Sequence, residues 1–348
     1  MKGILVIRPG AIGDALLTFP VLKALREQYD GTRITLVSNA QVLPLAQAFG
    51  VAEQAFDFQD IQWSELFSSS GIRTSAMRDL LEQTELAICW MRDPDGIIEH
   101  NLKMSGIEHS IIAPGRPSTG ERLHIVNYLA RTLGLPDMVT PFIERNRRQP
   151  KESPSTSVGA SVDDVGLGGP FWSPVGGGYA PFIDEPTTSG DPRRAIVKTH
   201  NTTTKRCVAI HPGSGAVEKC WPTSRFAEVI KRLWEQNHPV LLLAGPADTE
   251  RVDDVLKPLS LPPKPEMFKM LTHAPLLEVA QRLLQCRCYL GNDSGITHLA
   301  AMLGVPTVAI FGPTDPVIWR PVGPFVKVLQ GHTLEDVTVD ATIECFDL

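Results

Sequence analysis

Apolar and polar positions along the chain fall into two alternating kinds of stretch. Short runs of branched apolar residues, GILVIRP (3–9), RITLVSN (33–39) and ELAICW (85–90), have the continuous hydrophobicity of strands buried on both faces, as in a parallel sheet. Between the first two, Leu16, Leu17, Phe19, Val21, Leu22 and Leu25 recur at helical spacing, which predicts a helix over 15–25 with Pro20 near its start or at a bend. The second half repeats the pattern. CVAIHPG (207–213), PVLLLAGP (239–246), CYLGND (288–293) and PTVAIFGP (306–313) read as strands, with helices expected over about 223–236, 275–284 and 294–303. Strand, helix and strand in short succession imply an α/β fold, a parallel sheet covered on both faces. Two such units predict two doubly wound Rossmann-like domains facing across a cleft, with ligands at the carboxyl ends of the strands.

Composition separates the two halves. The stretch 153–194 is dense in Gly, Pro and Ser without sustained periodicity, so it cannot bury enough surface to offset its ordering entropy. The expected organisation is a first domain over 1–150, a linker or long loop over 151–200, and a second domain with a tail over 201–348. Phe171, Trp172, Tyr179 and Phe182 give the linker some apolar side chains to dock on a domain or a lipid surface, although a plain linker is the simpler expectation. A net charge of -6 argues against general nucleic-acid binding, apart from a local basic patch at Arg145, Arg147 and Arg148. Six cysteines, Cys89, Cys207, Cys220, Cys286, Cys288 and Cys345, lack zinc-site spacing and read as buried thiols in a reducing cytoplasm. The first apolar run is too short for a signal peptide core or a membrane span, so a cytoplasmic protein with at most peripheral membrane contact is expected.

Three stretches carry candidate chemistry. In RPGAIGD (8–14) a strand breaks through Pro9, Gly10 and Gly13, and a carboxylate, Asp14, stands where the helical pattern restarts. HPGSGAVEKCWP (211–222) places a glycine-rich turn, including Ser214 and Gly215, between a strand and a helix and follows it with Lys219; backbone N–H groups and a cation in that position suit a phosphate. GNDSGITHLAAMLGVPTVAIFGPTDP (291–316) ends a strand in Asn292 and Asp293, opens a helix at Ser294 and Gly295 whose free N–H groups favour an anion, and sets His298 one turn along. Each has a plain structural reading: Asp293 or Ser294 as an N-cap, His298 as a packed core histidine, Lys219 as a solvated charge. Jointly they point to function, because all fall at carboxyl ends of strands facing one cleft.

These three motifs, in this order and in these halves, resemble the bacterial ADP-heptose:lipopolysaccharide heptosyltransferases of glycosyltransferase family 9. The resemblance implies a GT-B fold, with an acceptor-binding first domain and a second domain for the nucleotide sugar ADP-heptose, no cofactor and no bound metal. It implies inverting transfer of heptose to a hydroxyl of an anionic glycolipid, the Kdo/heptose-lipid A inner core of lipopolysaccharide, at the cytoplasmic face of the inner membrane. Asp14 then corresponds to the general base, and Gly10 and Gly13 let the acceptor approach the backbone. Lys219 neutralises the departing diphosphate, Ser294 and Gly295 offer it backbone N–H groups, and Asp293 and His298 hold phosphate or heptose hydroxyls. Ser214 and Gly215 are further phosphate candidates, and Asp248 is a candidate for the adenosine ribose.

Other readings stay open. A relative that uses another nucleotide sugar or acceptor, or one that binds nucleotide or glycolipid without turnover, carries the same motifs. An NAD oxidoreductase calls for G-x-G-x-x-G after the first strand, and PGAIGDA does not match that spacing. DPD at 93–95 formally matches the metal motif of another glycosyltransferase class and reads as a turn. Arg73, Arg78, Arg92, Arg116 and Arg122 are available for anionic acceptor groups without forming a dense cluster.

Overall fold

The structure, a computed structural model, describes residues 2–139 and 206–346. The expected linker over 151–200 with its aromatic residues, and the basic patch at Arg145, Arg147 and Arg148, lie outside the described residues.

The first half forms a five-stranded sheet of β1 (Gly3–Ile7), β2 (Arg33–Ser38), β3 (Gln54–Asp57), β4 (Leu86–Trp90) and β5 (His109–Ala113), in the order β3-β2-β1-β4-β5 with every pair parallel. The second half forms a six-stranded parallel sheet of β6 (Val208–His211), β7 (Val240–Ala244), β8 (Phe268–Thr272), β9 (Cys288–Asn292), β10 (Thr307–Phe311) and β11 (Val326–Gln330), in the order β11-β10-β9-β6-β7-β8. Both are doubly wound. Each chain half starts mid-sheet and winds outward in one direction, then returns to wind in the other. Strand order therefore reverses between β1 and β4 and again between β6 and β9, and the loops leaving those strands flank an open crevice.

All seven strands expected from apolar runs are present. The four others, β3, β5, β8 and β11, are the edges of the two sheets. An edge strand is covered less completely, so its residues need not be apolar; β8, FKMLT, has no fully buried position.

The helix expected over 15–25 is two helices, Ile12–Leu16 and Phe19–Gln28. Pro20, which lacks an N–H, occupies the first turn of the second, where no intrahelical donor is required. The first begins earlier than the apolar pattern suggested, so Asp14 lies within its opening turn.

The domains share an apolar interface. One buried cluster runs from Ile4, Phe19 and Leu22 of the first domain into Leu276, Leu283 and Leu299 of the second, flanked by a separate core in each half. The helix Leu43–Ala48 meets the helix Leu276–Leu283, and Ile12–Leu16 meets Gly295–Met302. At this second contact the glycines have a steric task. A Cβ on Gly295 would lie 2.7 Å from Ile12 Cγ2, and one on Gly13 would lie 3.1 Å from His298 Cδ2.

Two polar ties span the same seam: Arg122 Nε donates to Asp315 at 2.8 Å, and His124 Nε2 meets the Arg320 carbonyl at 2.9 Å. His124 Nδ1 accepts from the Val126 N–H, so Nε2 carries the hydrogen and donates. Burial, aided by His298, brings this imidazole down to about 4 against the opposing hydrogen bond to Arg320, so it is neutral at neutral pH.

Candidate active site

Between the sheets lies a cleft of about 1340 Å³, lined from the first domain by the loops after β1, β4 and β5 and from the second by those after β6, β7 and β9. That exceeds the roughly 300–1,000 Å³ common for one small ligand, and leaves room for two substrates to meet.

On the first-domain side, Arg8 continues β1 and Asp14 stands one short turn later. Arg8 Nη2 reaches Asp14 Oδ1 at 3.1 Å, and the other carboxylate oxygen accepts from the Ala11 N–H at 3.3 Å, which fixes the carboxylate over the start of its own helix. The Asp14 side chain keeps 30% of its exposure while that of Arg8 keeps 5%, so the carboxylate is the reachable member of the pair. Burial lowers the Arg8 pKa from its ordinary value, opposed by Asp14. Its Nε has no partner among the described residues, and its Nη1 sits where a Gly115 side chain would be, 2.1 Å from that glycine's ideal Cβ. Gly10 has φ 143 and a Cβ there would crowd Asp14 at 3.1 Å. The bare faces of Gly10 and Gly13 are thus filled by Asp14 and His298, where the sequence suggested room for an acceptor; Gly13 lines the cleft and Gly10 does not.

On the second-domain side, the buried side chain of Asn292 braces the loops behind the cleft. It accepts from the Trp221 N–H at 2.9 Å and donates to the Pro212 carbonyl at 2.7 Å, tying both ends of the glycine-rich loop to the end of β9. Lys219 closes that loop, and its Nζ donates to Asp293 Oδ2 at 2.9 Å; Thr314 Oγ1 donates to the same oxygen at 2.8 Å. His298 Nε2 lies 3.7 Å from Asp293 Oδ1, and its Nδ1 is buried without a partner among the described residues. Burial would raise the Asp293 pKa, but His298 and then Lys219 outweigh it and bring the carboxyl down to about 2. Asp293 is therefore an anion at neutral pH.

Ser294 caps the helix Gly295–Met302 by accepting from the Thr297 N–H, and Ser294, Gly295 and Ile296 at the start of that helix line the cleft. Ser214 donates its hydroxyl to the Asp293 carbonyl at 2.7 Å, while Gly215 is open. Asp248 is 7% exposed and its Oδ2 accepts from His211 Nε2 at 2.9 Å and from the Gly245 N–H at 2.7 Å. His211, Lys219, Asp248, Asp293, Ser294, Gly295 and His298 all line the cleft together with Asp14.

Among the cleft residues that escaped the sequence reading as candidates are Arg8 and His211. Both stand at the last position of an apolar run, directly before a proline, and that placement was the available signal. Of the five candidate acceptor arginines, Arg92 and Arg116 line the cleft; Arg73, Arg78 and Arg122 do not, and Arg122 is engaged by Asp315. Asp93 of DPD accepts from the N–H groups of Ile98 and Glu99, a turn that opens the helix Ile97–Met104. Among the described residues no group of three or more His, Cys, Asp or Glu side chains could hold a metal ion, and no helix is long and apolar enough to cross a membrane.

Two doubly wound parallel-sheet domains that meet across a ligand cleft define a GT-B-like protein. The fold matches that of the ADP-heptose lipopolysaccharide heptosyltransferase II of Escherichia coli, with a TM-score of 0.67, 18% identity and coverage of 99% of this chain and 97% of that one. Residues 185–343 match the model of glycosyltransferase family 9 (heptosyltransferase). A lipopolysaccharide heptosyltransferase 3 of Escherichia coli strain K12 is 30% identical over 125 residues, a match that spans a third of this chain and a third of that relative's length. A lipooligosaccharide heptosyltransferase 2 of Haemophilus influenzae is 21% identical across 98% of this chain and 97% of its own. Over residues 185–343 the chain is thus similar to glycosyltransferase family 9.

Proposed function

We propose that the chain is an inverting glycosyltransferase that moves heptose from ADP-heptose to a hydroxyl of an anionic glycolipid, the inner core of lipopolysaccharide, at the cytoplasmic face of the inner membrane. The observation that carries this reading is the meeting of two unlike half-sites across the domain seam. One is an accessible carboxylate, Asp14; the other is a cation and a helix start, Lys219 with Ser294 and Gly295.

In this reading the second domain binds the donor. Its diphosphate lies against the backbone N–H groups at the start of Gly295–Met302 and beside Lys219, with the open turn at Ser214 and Gly215 adjacent. Asp293 and its neighbours divide the work by charge. An ionised carboxylate repels phosphate, so Asp293 accepts heptose hydroxyls while holding Lys219 in place, and His298 packs beside it against Gly13. The adenosine occupies the apolar wall of Leu243, Leu271 and Leu276, and Asp248 acts on it through His211, since its own carboxylate is already engaged.

The acceptor approaches from the first domain, where Arg8, Arg92 and Arg116 offer positive charge to its anionic groups. Its hydroxyl loses a proton to Asp14 as oxygen attacks the anomeric carbon from the face opposite the diphosphate, and the bond from that carbon to the phosphate oxygen breaks. Negative charge grows on the departing ADP, and Lys219 and the helix N–H groups stabilise it more in the transition state than in the ground state. This chemistry requires only groups of the chain itself.

The test has two arms. Thermal unfolding with ADP, UDP, GDP, NAD or ADP-heptose reads the donor, because a ligand that binds only the folded state raises its apparent stability. A shift confined to ADP and ADP-heptose is expected, followed by transfer to Kdo-lipid A. A shift with UDP or GDP alone moves the donor, and one with NAD alone refutes the reading.

A further inference from the structure

The six cysteines read from the sequence as buried thiols; Cys207, Cys220 and Cys345 are only half-buried, and the structure sets Cys207 and Cys286 apart from the rest. Cys207 immediately precedes β6 and Cys286 lies two residues ahead of β9, its neighbour in the sheet. The Arg287 N–H donates to the Cys207 carbonyl at 2.9 Å and Val208 pairs with Cys288, so the sheet itself holds the two segments side by side. The sulfurs are 3.4 Å apart. A disulfide has its sulfurs roughly 2.05 Å apart, so closing the bond brings the two sulfurs about 1.4 Å nearer each other.

The two thiols differ. Cys207 is half-buried and Cys286 is buried, with Cys286 Sγ also 3.2 Å from the Arg282 carbonyl. The hydrogen bond from Cys286, with the Lys269 and Arg282 cations, brings the Cys207 thiol down to about 7 against the effect of burial, while the same contact and burial push Cys286 up. Cys89 and Cys220 are both raised, chiefly by burial.

We propose that Cys207 and Cys286 form a peroxide-reactive dithiol, with Cys207 as the attacking sulfur and Cys286 as the resolving one. The Cys207 thiolate attacks one oxygen of a hydroperoxide, the O–O bond breaks, and the other oxygen leaves and takes up a proton as water or alcohol. Cys207 is then a sulfenic acid. Cys286 attacks its sulfur, the S–O bond breaks, and the hydroxide leaves as water with the proton of Cys286. Two thiols and one hydrogen peroxide give one disulfide and two waters, with both sulfurs oxidised and the peroxide oxygens reduced.

The pair sits at the amino ends of β6 and β9, whereas the cleft lies at their carboxyl ends, roughly 13 Å further along a four-residue strand. Neither cysteine lines the cleft. The site is therefore independent of the proposed transferase chemistry, and its failure would leave that reading untouched.

The experiment treats the reduced, desalted full chain with a small molar excess of hydrogen peroxide. Free thiols are counted under denaturing conditions, and peptides are mapped by mass without reduction. The count is expected to fall from the six of the sequence to four, with a Cys207–Cys286 cross-linked peptide that dithiothreitol removes and with an unchanged ADP-induced melting shift. In Cys286→Ser, a dimedone adduct at Cys207 replaces the cross-link; in Cys207→Ser, no cross-link involving Cys286 forms. Unfolding curves confirm that both variants are folded. Oxidation confined to Cys220 or Cys345, a cross-link of Cys286 to Cys288, or an inert Cys207 in the wild-type chain would each overturn the proposal.

Discussion

Replacing Asp293 by Asn keeps the shape of the side chain and removes the charge on which Lys219, Thr314 and His298 converge. In the folded protein this carboxyl is drawn from an ordinary 3.8 to about 2, even though burial works in the opposite direction. That difference is worth about 2.5 kcal/mol of folding stability at neutral pH. The sign follows from the depressed pKa: the contribution is complete above the unfolded value near 4, falls to about half by pH 3, and is gone once pH drops through the folded value. Asp293→Asn is expected to be about 2 kcal/mol less stable than wild type at pH 7, with the gap closing between pH 4 and pH 2. Urea unfolding of both proteins at pH 7, 5, 4 and 3 measures the gap, and titrations of groups that do not interact with position 293 cancel in the difference. A gap that stays constant from pH 7 to pH 3, or an Asn variant as stable as wild type, would refute the assignment of Asp293 as the charge that organises this half of the site.

The central strands were legible for the same physical reason that the edges were not. β1, β4, β6 and β9 are covered by helices on both faces and flanked by other strands, so nearly every residue must be apolar. β8 has only half-buried and exposed residues, β11 has a single buried one, Val326, and the two strands carry Lys269 and Lys327. The site was legible where chemistry imposes a local signature, as in the strand-to-helix turns at 211–219 and 293–295. It was not legible where it depends on pairing across the sheet. His211 and Asp248 lie 37 residues apart, and they meet only because β6 and β7 are neighbours. Arg8 reads in sequence as a polar strand end, and its burial depends on the space left by Gly115, which arrives from the loop after β5. The glycines of the first loop showed that something approaches closely; only the packed domains reveal that Gly13 faces His298 and that the bare face of Gly10 is filled by Asp14.

Three further outcomes follow from the geometry. Asp14→Asn should lower kcat by about 10²–10⁴-fold, the usual contribution of a general base, and leave the ADP-induced melting shift intact; undiminished turnover would remove Asp14 from the base role. Arg122→Ala breaks the exposed pair with Asp315, in which the arginine side chain retains 67% exposure and the solvent screens the charges, and should leave the thermal and urea unfolding midpoints essentially unchanged. Gly295→Ala tests whether the seam between the domains positions the reaction. The added methyl retains the backbone N–H for the diphosphate but would lie 2.7 and 2.8 Å from Ile12 Cγ2 and Cβ, so the helix carrying Asp14 must move away. Overpacking of this kind costs about 1–3 kcal/mol of stability; a displacement of the base that raises the barrier by a similar amount corresponds to roughly a tenfold to hundredfold fall in turnover at near-normal ADP affinity. Ile12→Gly in the same chain removes both colliding carbons and leaves the Gly13 nitrogen, at 3.2 Å, as the remaining one of the three nearest atoms, so it should recover part of that loss. Turnover unchanged in Gly295→Ala, or ADP binding lost in step with turnover, would show that the close approach of the two helices does not set the distance between base and donor.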